Sequence, residues 1–258
     1  MSVARGRRRF GPRARVRPHR WWALLGGAAT PTSPITAGIG KGRLVVVAPH
    51  PDDEVLACGG LLVHAQAAGW PVLVVAVTAG ERSHGAATPG RRLRLARQRG
   101  YEQRRSVAAL GMAAATLRAL RLPDGGVTRQ AALLERRLTA LFAPGDTVVV
   151  TSHCDGHPDH EASSRAASAA ARRIGCTVWE APVWLWQWAQ PGAAGPHWGQ
   201  LGRVELGRTA LRRKALALRR HRSQQRRGAA GQAVLCRDIR RRAAWPVEFF
   251  FEPPHADA

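Results

Sequence analysis

Five short apolar runs recur along this chain at helix-length intervals, and that alternation constrains the fold more than any other feature. Leu44 to Ala48, Val72 to Thr78, Thr116 to Arg121, Thr147 to Thr151 and Thr177 to Ala181 read as strands. Between them, Asp53 to Ala68, Arg91 to Leu110, Val127 to Phe142 and Pro158 to Ile174 read as helices. Strands made of unbroken Val, Leu and Thr are buried on both faces, as in a parallel sheet. Strand–helix alternation implies βαβ units with right-handed crossovers. The expected fold class is α/β: a Rossmann-like, doubly wound, mostly parallel sheet with helices on both faces. At 258 residues the chain fits one such domain plus a C-terminal extension. In that extension Arg208 to Arg222 reads as a basic helix and Val247 to Phe251 as a late strand.

In sheets of this kind the ligand site lies beyond the carboxyl ends of the strands. Two acid–histidine clusters fall there. Pro49-His50-Pro51-Asp52-Asp53-Glu54 follows the first strand, and His153-Cys154-Asp155-Gly156-His157-Pro158-Asp159-His160 follows the fourth. Either cluster alone has a plain structural reading, since acids after a proline make an ordinary helix start. Together, behind two strands of one sheet, they point to a divalent metal. Imidazole and carboxylate donors suit zinc first, with three protein ligands and one position left for water. His50 and Asp53 sit three residues apart at a strand-to-helix turn, and His160 supplies a third ligand from the other cluster. Asp52 then suits a general base that is not itself a ligand. His157 is placed to stabilise a developing oxyanion, and Asp159 to hold an imidazole in its working tautomer. Asp155 either caps the turn before Gly156 or faces the substrate.

The remaining composition bears on partners and location. Forty Lys and Arg face 17 Asp and Glu, a formal charge of +23. A nucleic-acid partner is one reading. However, only Lys41 and Lys214 are lysines, so the skew looks like codon bias toward arginine, and no specific nucleic acid is expected. Residues 1–43 carry ten basic residues and no acid, and read as a mostly disordered basic leader rather than an export signal. The expected domain spans 44–252, with a 253–258 tail. Cys58, Cys154, Cys176 and Cys236 form no C-x-x-C pair, which fits a reducing cytoplasm. No apolar run is long enough to span a bilayer.

The motif pair Pro49-His50-Pro51-Asp52-Asp53-Glu54 and His157-Pro158-Asp159-His160 resembles the PIG-L/LmbE-like zinc-dependent N-acetylglucosaminyl deacetylases, over residues 44 to about 252. The resemblance implies zinc ligands at His50, Asp53 and His160, a base at Asp52 and an oxyanion-binding histidine at His157. It implies Zn2+ as the cofactor, with Fe2+ the alternative. Arg99-Gly100-Tyr101-Glu102 looks like the family's Arg-x-x-Glu helix, which makes Arg99 a sugar contact. Leu122-Pro123-Asp124-Gly125 looks like its Leu-Pro-Asp turn, which gives Asp124 the same role. His221-Arg222-Ser223-Gln224 looks like its C-terminal His-x-Ser-Gln segment. Some members carry a tyrosine that helps bind the oxyanion where this chain has Asp155, a departure that bears on the substrate subclass and leaves Asp155 a candidate substrate contact. The implied activity is hydrolysis of the N-acetyl (N-acyl) amide of a glucosamine-type conjugate, a small-molecule glycoconjugate being the partner. De-N-acylation of a non-sugar amide is the runner-up.

Two features stay open on the residues alone. Without the resemblance, Arg99 is one of seven arginines between 91 and 105 and reads as a solvated helix face, and Asp124 reads as a turn residue. Trp184, Trp186 and Trp188 alternate, which places all three on one face of an extended segment. They would line a groove for a sugar or apolar aglycone, or cap the sheet as core. His221 reads as a packing residue.

Overall fold

The first strand, β1 (Leu44–Ala48), lies at the centre of a seven-stranded sheet and is buried at every residue. In the computed structural model, which describes residues 16–25, 31–38, 42–83, 88–112, 116–190, 196, 198–227 and 233–251, the strand order is β3-β2-β1-β4-β5-β7-β6. The other strands are β2 (Val72–Thr78), β3 (Leu117–Leu122), β4 (Thr147–Thr151), β5 (Thr177–Ala181), β6 (Leu201–Glu205) and β7 (Val247–Phe251). β1 to β5 are parallel, with Val46 opposite Val74 on β2 and Val149 on β4. β7 and β6 close one edge as an antiparallel pair. The unbroken apolar run of β1 follows from this position. Leu44 and Val46 enter the core on one face, and Val45 and Val47 the core on the other.

The helices are α1 (Pro18–Leu25), α2 (Asp53–Ala67), α3 (Pro89–Ala109), α4 (Ala131–Thr139), α5 (Pro158–Ile174), α6 (Leu185–Trp188), α7 (Arg208–Leu218), α8 (Arg222–Gln225) and α9 (Arg237–Ala243). Chain order reverses between β1 and β4, which makes the gap between them the switch point of a doubly wound sheet. Both acid–histidine clusters leave the carboxyl ends of these two strands. None of the described helices is long and apolar enough to cross a membrane.

α2 is kinked at Cys58, whose φ of −149° is not helical. The kink frees the amides of Gly60 and Leu61, and both donate to the buried Glu248 carboxylate at 2.7 and 2.9 Å. Lys214 on α7 neutralises that carboxylate at 2.6 Å. A buried ion pair with its remaining lone pairs satisfied avoids the penalty of an unpaired charge.

Three expectations need correction. The N-terminal stretch is not wholly a loose leader. Within it Trp21 is fully buried, its indole N–H donates to Trp186 O at 3.2 Å, and Ser33 N donates to Arg203 O at 2.8 Å. Two adjacent tryptophans outweigh the polar composition around them. Residues 1–15, 26–30 and 39–41 of the leader, and the 253–258 tail, lie outside the described residues. The basic helix expected over 208–222 breaks at His221 into α7 and α8. The Trp segment is not extended: it turns into α6, so its tryptophans leave in different directions.

Candidate metal centre and catalytic pocket

The turn that leaves β1 is unusual at Asp52, whose φ of 112° lies in the left-handed region. Among the described residues only Arg121 shares that departure without being glycine. Such a conformation costs about 1–3 kcal/mol and persists when its surroundings fix it, a pattern common at functional sites. Here Asp52 N donates to Glu54 Oε2 at 3.1 Å, and His50 N donates to Asp53 Oδ2 at 2.9 Å. Gln224 Nε2 donates to Pro51 O at 2.7 Å and to Asp52 Oδ2 at 2.5 Å. The neighbouring carboxylates of Asp52 and Asp53 are thereby given different partners.

Asp53 Oδ2 lies 3.3 Å from His50 Nδ1 and 3.2 Å from His160 Nε2, and those two nitrogens are 3.1 Å apart. A tetrahedral zinc with bonds of about 2.0–2.1 Å separates its ligands by about 3.3 Å. The outer nitrogens face carboxylates. His160 Nδ1 meets Asp155 Oδ2 at 2.6 Å, while His50 Nε2 lies 3.3 Å from Asp159 Oδ2 and 3.4 Å from Asp124 Oδ1. Each outer nitrogen therefore carries the hydrogen, and each inner one turns toward Asp53. Three inward atoms at this spacing require positive charge between them, as imidazolium protons or as one cation. Carboxylates behind histidines are the usual support of a metal site. The donor set fits a divalent metal.

The charges agree. Burial is the largest influence on both rings and works against protonation. Hydrogen bonds to Asp124, Asp159 and Asp53 outweigh it at His50, whose pKa is held well above 6.5. The fields of Asp53 and Asp155 outweigh it at His160, raised to about 9. Burial would raise Asp53, but His160 and His50 hold it far below the usual carboxylate range. Asp52 is the opposite case: burial first, then Asp53 and Glu54, lift it to about 8 against the pull of His221 and Arg99.

His157 caps α5. Its ring nitrogen Nδ1 accepts from Asp159 N at 3.2 Å, so Nε2 carries the hydrogen. Its ring stacks on His160 at 4.6 Å and meets His50 edge-on at 4.7 Å. One nitrogen from each of these three histidines lies within 4.8 Å of the others. Burial, then the nearby positive histidines, push His157 far below 6.5 and keep it neutral. Asp159, through Oδ2 and Oδ1, accepts from Gly125 N and Val127 N, which anchors the turn carrying Asp124.

These groups open into a cavity of about 460 Å³, whose lining includes His50, Asp52, Asp53, Arg99, Asp124 and His157. Arg99 is not the solvated residue its neighbours imply. It is 2 % exposed and donates to Gly80 O at 2.6 Å, where a φ of 64° brings the backbone under the guanidinium. Asp155 is a correction. Fully buried, it accepts from Val183 N and Leu185 N through Oδ1 and holds His160 through Oδ2, so it cannot face a substrate. Of the tryptophans, Trp184 lines the cavity, Trp186 is core, and Trp188 donates from Nε1 to Asp155 O at 2.8 Å.

Several contributors carried no assigned role in the sequence reading. Glu54 Oε2 also accepts from Gln103 Nε2 at 3.0 Å, and Glu102 accepts from Ser223 N and Oγ, which pins α8 and hence Gln224. The buried side of α3 includes Arg99, Glu102, Gln103 and Ser106, polar residues at i, i+3, i+4 and i+7. That helical spacing of polar groups is the signal that would have found them. Leu93, near the start of this helix, is 54 % exposed, while Val107 and Leu110 at its end are buried.

A family model described as PIG-L: GlcNAc-PI de-N-acetylase matches residues 45–171, which include both clusters. Among solved structures, a conserved protein of Thermus thermophilus, TT1542, is 26 % identical with a TM-score of 0.59, covering 82 % of this chain and 94 % of its own. The zinc-inhibited form of teicoplanin deacetylase Orf2 is 17 % identical with a TM-score of 0.59, covering 84 % of this chain and all of its own. The N,N'-diacetylchitobiose deacetylase of Pyrococcus horikoshii is 18 % identical with a TM-score of 0.50, covering 74 % of this chain and 73 % of its own. At those identities the two deacetylases share the fold with this chain. No curated protein matches it.

Proposed function

Since residues 45–171 form a PIG-L (GlcNAc-PI de-N-acetylase) family domain, we propose that this chain is a metal-dependent hydrolase that removes the N-acetyl group from a glucosamine-type sugar conjugate. One observation carries the reading. His50 Nδ1, Asp53 Oδ2 and His160 Nε2 converge within 3.3 Å while carboxylates hold the outer nitrogens.

A divalent ion held by these three side chains supplies Lewis acidity toward a water and an amide carbonyl. Zn2+ suits a set of two imidazoles and one carboxylate, and Fe2+ is the alternative. Asp52, whose pKa is raised by burial and by its acidic neighbours, would be returned to carboxylate beside a cation, and it takes a proton from the attacking water and returns it to the leaving amine. His157 donates its Nε2–H to the carbonyl oxygen as that atom gains negative charge. Its neutrality suits the role, since a donor of fixed tautomer needs no proton exchange. Arg99 and Asp124 line the same cavity, where a guanidinium and a carboxylate meet sugar hydroxyls. Asp159 and Asp155 hold the two metal-facing imidazoles. Four free cysteines support a reducing, cytoplasmic setting.

The test is direct. Chelator-treated protein is reloaded with zinc or iron and incubated with N-acetylglucosamine conjugates, and free amine and acetate are measured together. Equimolar release that depends on metal is the expected result. Failure on every sugar conjugate, with hydrolysis of a non-sugar acetamide, would replace the substrate class.

A further inference from the structure

A second, smaller cavity adjoins the first across Leu56 and Ile239, which line both. Its volume of about 40 Å³ is the space of about three water molecules. Val183, Trp186, Trp245 and Phe249 give it apolar and aromatic walls, and Arg242 of α9 lines it with them. Arg242 is 7 % exposed, and neither of its Nη atoms has a hydrogen-bond partner among the described residues. The acids around it are engaged elsewhere. Glu248, in the same lining, accepts from Lys214 Nζ and from the amides of Gly60 and Leu61. Asp238, one turn earlier on α9, lies 3.7 Å from Arg17 instead. Asp155 holds His160 and two backbone amides. Burial is the largest influence on Arg242 and lowers its pKa to about 10, against Cys236, Asp238 and Asp155. A buried charge without a partner is costly, and the planar fork of a guanidinium matches both oxygens of a carboxylate.

We propose that this cavity is a second ligand site, in which Arg242 holds the carboxylate of a small aliphatic monocarboxylic acid. The volume admits a stem of about one or two carbons, and the hydrocarbon and indole walls suit that stem. Inorganic phosphate fits less well. Its further oxygens would face apolar side chains, because Lys214, the other cation of the lining, is held by Glu248. The inference goes beyond the amide-hydrolase reading and does not depend on it, although the acetate such a reaction releases belongs to the class.

Sodium acetate is titrated into full-length, zinc-loaded, isotope-labelled protein, with sodium chloride holding the ionic strength constant, and the indole N–H signals are followed by NMR. The Trp186 and Trp245 signals shift saturably, and Arg242→Met removes those shifts. That variant exchanges an unpaired buried charge for hydrocarbon, a change that protein interiors tolerate. Arg242→Lys keeps the charge without the fork and weakens acetate about tenfold, so it decides the matter if the methionine variant fails to fold. Acetate also raises the unfolding temperature of the wild type more than that of either variant. Shifts confined to Trp184, which lines the cavity of the metal centre, would place acetate there alone and overturn the proposal. Shifts that persist in Arg242→Met would overturn it too, as would a response to inorganic phosphate as strong as that to acetate. No readout involves turnover, so the site stands or falls apart from the proposed reaction.

Discussion

Asp155 Oδ2 lies 2.6 Å from His160 Nδ1, and both side chains are fully buried. With two backbone amides on its other oxygen, the carboxylate has no direction left but the imidazole. It fixes the hydrogen on Nδ1 and turns Nε2 toward Asp53. Asp155→Asn keeps the volume and removes the charge. Metal affinity is expected to fall about 10- to 100-fold, as for other carboxylates behind metal-bound histidines. Competition with a chromophoric chelator measures it. At saturating metal KM should hold, whereas a substrate contact would raise KM and leave metal affinity alone.

Metal uptake should release protons. His50 is held well above its ordinary pKa and His160 at about 9, so near neutral pH the metal-free site carries both as imidazoliums around Asp53. A cation must displace those protons, and binding therefore strengthens as pH rises toward 9. Titrations in two buffers of different ionisation enthalpy should differ by at least two protons per ion, with Asp52 adding to the release as a bound cation lowers its pKa below about 8. Heats independent of the buffer would mean the rings are already neutral.

Asp52→Asn tests the base. The variant should retain zinc stoichiometry and lose about 10²- to 10⁴-fold in kcat, the range for removing a general base. The wild-type kcat/KM should climb with pH as Asp52 loses its proton. The limb falls below the metal-free value of about 8, because a bound cation favours the carboxylate. The same limb should be absent from the residual activity of the variant.

Gln224 reaches the site from far along the chain. Its Nε2 bridges Pro51 O and Asp52 Oδ2, closing the turn at its strained residue. Gln224→Leu removes both bonds at similar volume. Catalytic geometry is sensitive to displacements of about 1 Å, so kcat should fall about 10- to 100-fold with metal content unchanged. An unaltered kcat would show that Glu54 and the Asp53 cap hold the turn unaided.

The sheet was legible because β1, β2 and β4 are buried on both faces, and continuous Val and Leu state that burial directly. His50, Asp53 and His160 were legible because parallel strands deliver their following turns to one edge. The supporting groups were not. Asp155 is polar, beside a glycine, and reads as a turn residue until the loops from β4 and β5 close over it. Arg99 is one of seven arginines between 91 and 105, and the packing of α3 decides which is buried. β6 was missed because Leu201–Glu205 includes a glycine and two charges, tolerable at an edge where it pairs only with β7. The docked part of the leader was not legible because its basic composition hid one anchor.

That anchor yields the last expectation. Trp21 is fully buried, packed edge-on against Trp186 at 5.2 Å and beside Trp198 at 5.4 Å. With Leu185, Leu201, Phe249 and Phe251 these residues form a satellite core over the β6–β7 edge. If the segment is docked as part of the domain, Trp21→Ala should cost about 3 kcal/mol, the low end for a buried tryptophan. Urea unfolding reads that loss, and tryptic cleavage after Arg20 in native conditions should quicken in step. Trp21 does not itself line the cavity, so kcat should change little at temperatures where the variant stays folded. Equal stability of the two proteins would mean that this segment adds nothing to the folded domain.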